Sequence, residues 1–284
     1  MKVIEQYCAP KSTTTPSEDA VVVTASYAAV IDGATPKTAF RYPGGETPGH
    51  LAARLLCEAI AHLPADLTAR DAIDRLSQSL CQPDVAPANR PIASLVIYSV
   101  SRRELWRVGD CQYLTTSQPH PLTTLPGSSP LRGIRGDLRN PKPIDLLLAS
   151  WRRDVILSYL SRGLMTPDAI LADDPGRRII QPFITRQVRY QNLDASHPLA
   201  YGVLDGTRVP DRFIEVHLLP DDADQLILAS DGYPELLPTL DETEATLQRL
   251  LAADPLCIGP LLSTKGLRPG NLSYDDRTYL RIQL

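Results

Sequence analysis

Three short runs in this chain, YAAVIDG, ELWRVGD and QLILASDG, each finish on an aspartate beside a glycine. Their branched and aromatic residues read as strands. A carboxylate at the end of a buried strand is costly unless a cation, a hydrogen-bond donor or a metal stands beside it. The strands also arrive in quick succession. DAVVVTASYAAVIDG (residues 19–33) has the pattern of a hairpin turning near Ala25 and Ser26. ASLVIYSV, ELWRVGD and QYLTT follow one another, with residues 101–103 as the turn between the first two. Strands joined with no helix between each pair must pair antiparallel, so the expectation is an α+β fold of antiparallel sheets covered by helices.

The helices are spaced between these groups. HLAARLLCEAIAHL sets Leu51, Leu55 and Ile60 at helical intervals, and LTARDAIDRLSQSL repeats the type with Thr68 as N-cap and Asp71 three residues on. PIDLLLASWRRDVILSYLSRG reads as a long amphipathic helix, and PDAILADD as a short one that opens on proline. DETEATLQRLLAADP is a helix with an acidic first turn, while FIEVHLLP, QLILASD and RTYLRIQL are strands. Residues 176–210 are the least periodic. No boundary marks a second domain, so residues 1–284 are expected to form one domain with a variable, flap-like region at about 163–210.

Composition narrows the partners. The 33 acidic and 29 basic residues are interspersed and leave a net charge of −4, which argues against nucleic acid or an anionic membrane as the main partner. Five scattered cysteines show neither C-x-x-C nor Cys/His zinc spacing, so they are read as reduced, small buried hydrophobes in a cytoplasmic protein. No stretch approaches the roughly 18 apolar residues of a membrane span, and the first residues lack the apolar core of a signal peptide.

The acids at strand ends are the candidate chemistry: Asp32, Asp110, Asp231, the pair Asp275 and Asp276 before the last strand, and Glu18 and Asp19 at the start of the first hairpin. Singly, an Asp-Gly after a strand is a turn, and Asp205-Gly206 is read as one. Together, converging carboxylates repel unless divalent cations neutralise them, and an oxygen-only ligand set suits magnesium or manganese over zinc or copper.

In the order SEDAVVV, AVIDGA, ASLVIYSVSRRELWRVGDCQYL, QLILASDGYPELL and YDDRTYLRI, nearly the whole chain resembles the metal-dependent PP2C (PPM) family of serine/threonine phosphatases, in a divergent bacterial-type form. The resemblance implies a four-layer α-β-β-α sandwich with Mn2+ or Mg2+, two or three ions, at one end. Carried over, Asp32 would bridge two ions, with the Gly33 carbonyl and Glu18 serving one and Asp231 and Asp275 the other. Asp110 matches an acid that holds a further ion with Asp231, and Asp19 would stand behind the ligands. The implied activity is hydrolysis of phosphomonoesters, foremost phosphoserine and phosphothreonine in proteins, by direct attack of a metal-bridging hydroxide, with Asp32, Asp231 and Asp275 as catalytic residues. A small phosphorylated metabolite as substrate, or a non-catalytic binding module of the same fold, are the alternatives. The chain lacks a G-x-S-x-G elbow, a C-x5-R loop and a P-loop, which fits chemistry without a side-chain nucleophile.

Departures from the family pattern bear on activity. Ala34 stands where some members carry a histidine proposed as general acid; His50 and Lys37 are the nearby candidates, both read as solvated residues. A phosphate-binding arginine would fall near Thr14, with Lys11 or Arg41 as the closest basic residues and no substrate-binding residue assigned. Asp276 replaces the usual asparagine and would either tighten metal binding or cap the last strand. The loop TPKTAFRYPGGETPG and residues 176–210 are the candidate determinants of substrate choice.

Overall fold

The computed structural model describes residues 1–117, 135–137, 141–193 and 196–284. Its strands are β1 (Lys2–Ala9), β2 (Asp19–Val23), β3 (Tyr27–Gly33), β4 (Ala93–Ser99), β5 (Glu104–Val108), β6 (Gln112–Thr116), β7 (Arg135–Asp137), β8 (Glu215–Leu218), β9 (Gln225–Ala229) and β10 (Arg277–Gln283). The helices are α1 (Pro48–Ala61), α2 (Ala69–Ser79), α3 (Pro143–Ser161), α4 (Pro167–Ala172), α5 (Pro175–Arg186) and α6 (Leu240–Ala253). Two five-stranded sheets form, in the orders β1-β10-β9-β6-β7 and β2-β3-β4-β5-β8. All their pairings are antiparallel.

Side-chain alternation along β3 shows how the layers stack. Ala28 and Val30 enter the space between the sheets, where they meet Val96, Leu105, Leu226, Leu228 and Leu280. Tyr27, Ala29 and Ile31 face the other way, onto Leu56 and Ile60 of α1 and Ile73 and Leu76 of α2. On the far sheet, Ile227, Ala229 and Tyr279 pack against Leu247 and Leu251 of α6. Helices, sheet, sheet and helix follow in that order, the α-β-β-α sandwich expected. Each fully buried leucine or isoleucine stabilises the stack by roughly 1.5–3 kcal/mol, so the middle cluster holds the sheets face to face and the outer two hold the helices against them. The same parity gives Asp32 the face of Val30 and Ala28, at the end of the space between the sheets.

Threonine caps start four helices: Thr47, Thr68, Thr166 and Thr239 accept from the amides of His50, Asp71, Ala169 and Glu242. The turn at Asp205-Gly206 is as read, with the Asp205 carboxylate accepting from the Thr207 amide at 3.0 Å and Gly206 at φ +88°.

Four features differ from the sequence reading. β1 was not anticipated; it lies at a sheet edge, mostly exposed and with a register shift between Val3 and Glu5, so it shows little alternation. Within residues 176–210, α5 is a regular helix whose Ile180 and Ile184 pack on Ile144 and Leu148 of α3; Pro182 inside it masks the period. α3 is less one-sided than expected, because Leu147, Trp151 and Leu157 are exposed and the Trp151 ring sits 5.0 Å from that of Phe183. All five cysteines are free, but only Cys111 and Cys257 are buried; Cys8 and Cys81 are exposed. Among the described residues no helix is long and apolar enough to cross a membrane.

Candidate metal centre

Strand register builds the site. β2 and β3 pair so that Asp19 lies opposite Asp32, and β3 and β4 so that Asp32 lies opposite Ser94. Like charges directly opposite one another destabilise a sheet, so this row is not there for stability. Ser94 donates its hydroxyl to Asp110 at 2.6 Å. Asp110 is reached through Gly109, whose φ of +91° and closeness to Ser94 exclude a side chain. Asp231 leaves the end of β9, and the Tyr274 hydroxyl donates to its carbonyl at 3.0 Å. A Cβ on Gly232 would overlap the Asp276 carbonyl, so glycine lets the end of β9 lie against the residues that precede β10. The outcome is that one oxygen each of Asp32, Asp110 and Asp231 lies within 4.8 Å of the others.

The three acids are not electrostatically alike. Burial, then the charges of Asp231, Asp19 and Asp110, push the Asp32 pKa well above its ordinary value. Burial, followed by Asp110 and Asp275, pushes Asp231 up to about 7. Asp19 is raised as well, chiefly by burial, and one of its oxygens finds no hydrogen-bond partner among the described residues. Asp110 goes the other way. Burial opposes its charge, but the Lys142 ammonium, 2.8 and 2.7 Å from its two oxygens, outweighs that and lowers its pKa.

Lysines hold the rest of the acidic set. Lys265 reaches Asp275 at 2.5 Å, and with Lys11 it lowers the Asp275 pKa against the pull of burial. Lys11 lies 3.2 Å from Glu18, 2.9 Å from Asp276 and 3.7 Å from Asp275. The backbone amides of Lys11 and Glu18 also donate to Asp276, at 2.7 and 3.2 Å. The extra carboxylate at Asp276 therefore ties the segment before β2 to the segment before β10. The loop bearing Lys265 is itself pinned: the buried Arg152 donates to the carbonyls of Leu256, Cys257 and Ser263, and Arg177 to that of Thr264.

A cleft of about 150 Å3 opens over these groups. Asp32, Asp110, Asp145, Asp231 and Asp275 are its acids, Lys37, Arg90, Lys142 and Lys265 its cations, and Ile92, Leu146 and Ile184 are among its apolar walls. Of the residues expected from the sequence, Asp32, Asp110 and Asp231 are brought together and Asp275 joins the same cleft. Glu18 is buried beside them but engaged by Lys11 and by the Thr47 hydroxyl at 2.7 Å. Gly33 is required sterically, since a Cβ there would strike the carbonyl oxygens of Glu18 and Gly49.

His50 turns its ring to the Ser17 carbonyl at 2.9 Å, and the Arg41 guanidinium bonds its neighbour's carbonyl at 2.7 Å; neither lines the cleft. Lys37 does line it, contrary to its reading as a solvated loop residue. Lys142 and Lys265 were missed. Their signal was scarcity: only five of the 29 basic residues are lysines (Lys2, Lys11, Lys37, Lys142 and Lys265), and four of the five gather here.

The acidic trio fits a hard divalent cation. Its donors are all oxygen, and among the described residues neither the Asp32 nor the Asp231 carboxylate accepts a hydrogen bond or ion pair. Their raised pKa values are what desolvated carboxylates show when a neutralising charge is wanted.

Several proteins of known structure are similar to the chain. The serine/threonine phosphatase Stp1 from Staphylococcus aureus is 13% identical, with 100% of this chain and 96% of that one covered and a TM-score of 0.49. The catalytic domain of the serine/threonine protein phosphatase PstP, in complex with two manganese ions, is 16% identical over 98% and 96%, at a TM-score of 0.45. RsbX in complex with magnesium is 13% identical over 98% and 93%, also at 0.45. No protein-family model matches the chain. No curated protein sequence matches it either.

Proposed function

We propose that the chain is a divalent-metal-dependent phosphatase that hydrolyses phosphomonoesters, with phosphoserine and phosphothreonine of proteins as its substrate class. The observation that carries the reading is the facing trio of Asp32, Asp110 and Asp231 at the ends of three different strands. These three would hold Mn2+ or Mg2+, with Asp275 in the same cleft; Glu18 and the Gly33 carbonyl are the further ligands this reading assigns. Bound there, the ion would lower the pKa of water and offset charge growing on the phosphate oxygens.

The chain's own residues do the positioning. Lys142 and Ser94 fix Asp110 from two sides and keep it ionised, and Lys265 orients Asp275. The described lining includes neither cysteine nor histidine, so it offers no thiolate or imidazole nucleophile, and on this reading attack falls to water.

The test is turnover of p-nitrophenyl phosphate with manganese, with and without EDTA, for wild type and Asp231→Asn. Metal-dependent turnover in wild type and none in the variant is expected; equal rates in both sink the reading. One observation favours a second reading, a non-catalytic module that binds a phosphorylated partner: Lys11, Lys142 and Lys265 already sit on Glu18, Asp110 and Asp275. Calorimetric titration of manganese separates the two, since a module neutralised by its own lysines binds no ion at Asp32 and Asp231.

A further inference from the structure

We propose that Lys37 forms an anion subsite beside the metal centre, so that preferred substrates carry a second acidic group, carboxylate or phosphate, next to the phosphate that is cleaved. This rests on the phosphatase reading above and names the substrate chemistry of the same cleft. The four lysines around the cleft differ in what they hold. Lys11, Lys142 and Lys265 each have carboxylate partners within 3.2 Å. Lys37 lines the same cleft and, among the described residues, makes no hydrogen bond or ion pair; the nearby Asp145 attracts it without bonding it.

Its surroundings are mostly positive, and the residue itself is half-buried. Burial, together with the charges of Lys265, Arg177 and Lys142, brings the Lys37 pKa down to about 8 despite Asp145. A half-buried ammonium that no carboxylate bonds is costly to the fold, and among the described residues only the attraction of Asp145 offsets part of that cost. An arriving carboxylate or phosphate would offset more of it. The position suits a substrate: Lys37 lies in the loop that follows Asp32 directly and lines the cleft along with Thr35 and Pro36. The same cleft therefore holds acids that suit a cation and a lysine that suits a further negative charge on the same molecule.

Two measurements test this, the first independent of turnover. In metal-free protein held in EDTA, reductive methylation near pH 8, read by peptide mass spectrometry, should label Lys37. Inorganic pyrophosphate should slow that labelling about fivefold while leaving exposed Lys2 unaffected. Unchanged labelling of Lys37 overturns the proposal. The second is kcat/KM on matched pairs: phosphoserine peptides with glutamate or glutamine beside the phosphoserine, and a sugar bisphosphate against its monophosphate. Wild type should favour the acidic member by about tenfold.

Lys37→Met should abolish the preference and Lys37→Arg keep most of it, with thermal melts confirming that both are folded. Separation of the peptide pair alone identifies a protein source, and of the sugar pair alone a small-molecule source. Failure of both pairs to separate, or a preference that survives in Lys37→Met, overturns the proposal. Absence of all turnover would remove the phosphatase reading, and the labelling would still decide the subsite.

Discussion

Asp110 and Asp231 belong to one oxygen cluster, yet they stand in opposite electrostatic conditions. Asp110 has Lys142 on both oxygens and Ser94 on one, and Asp275 has Lys265 and Lys11. Asp32 and Asp231 have burial and each other. The rim of the site is neutralised from within the fold, while its centre has no bonded cation of its own and is left for one from outside. Such a division makes sense for a binding centre: the rim holds the geometry, and the central pair supplies the affinity.

The sharpest way to break that contrast is to remove a central acid. We expect Asp32→Ala to lower manganese-dependent turnover by at least about 1000-fold. The same variant should leave the melting temperature in EDTA unchanged or higher, because it removes one of several repelling charges. A large fall in that temperature would mean that the centre is structural. Lys142→Met attacks the rim. It strands Asp110, whose side chain is 5% exposed, and should cost about 3–5 kcal/mol in urea unfolding without metal, part of it regained with manganese. Lys265→Met should cost only about 1 kcal/mol, since Asp275 is 19% exposed and keeps Lys11. Equal costs would erase the difference between the two ends of the rim.

The smallest effect is on pH. Asp231 has a folded pKa of about 7, above its unfolded value, so its contribution to stability is full below the unfolded value and is lost as pH rises through about 7. Metal-free protein should accordingly lose stability between about pH 4 and pH 7 on this account, and Asp231→Asn should flatten the slope. A wild-type melting profile already flat in EDTA would contradict the raised value.

Where sequence and structure agree, a periodic signal lay close behind. The β2–β3 hairpin, the caps at Thr68 and Thr239 and the acids ending β3 and β9 were legible because alternation, capping residues and Asp-Gly breaks are local. β1 was hidden because an exposed edge strand has no buried face to betray it, and α5 because Pro182 interrupts its period. The lysines were hidden for another reason. Lys142 and Lys265 act across 32 and 10 residues of sequence on Asp110 and Asp275, and only the packing of α3 and of the Arg152-pinned loop brings them there.

The Asp276 tie also bears on how the molecule folds. Its bond to the Lys11 amide joins positions 265 residues apart, and closing so long a span carries an entropy penalty that only the finished sandwich compensates. Partly organised intermediates should lack the ion-holding arrangement altogether, which makes manganese uptake during refolding a clock for the last step of assembly rather than the first.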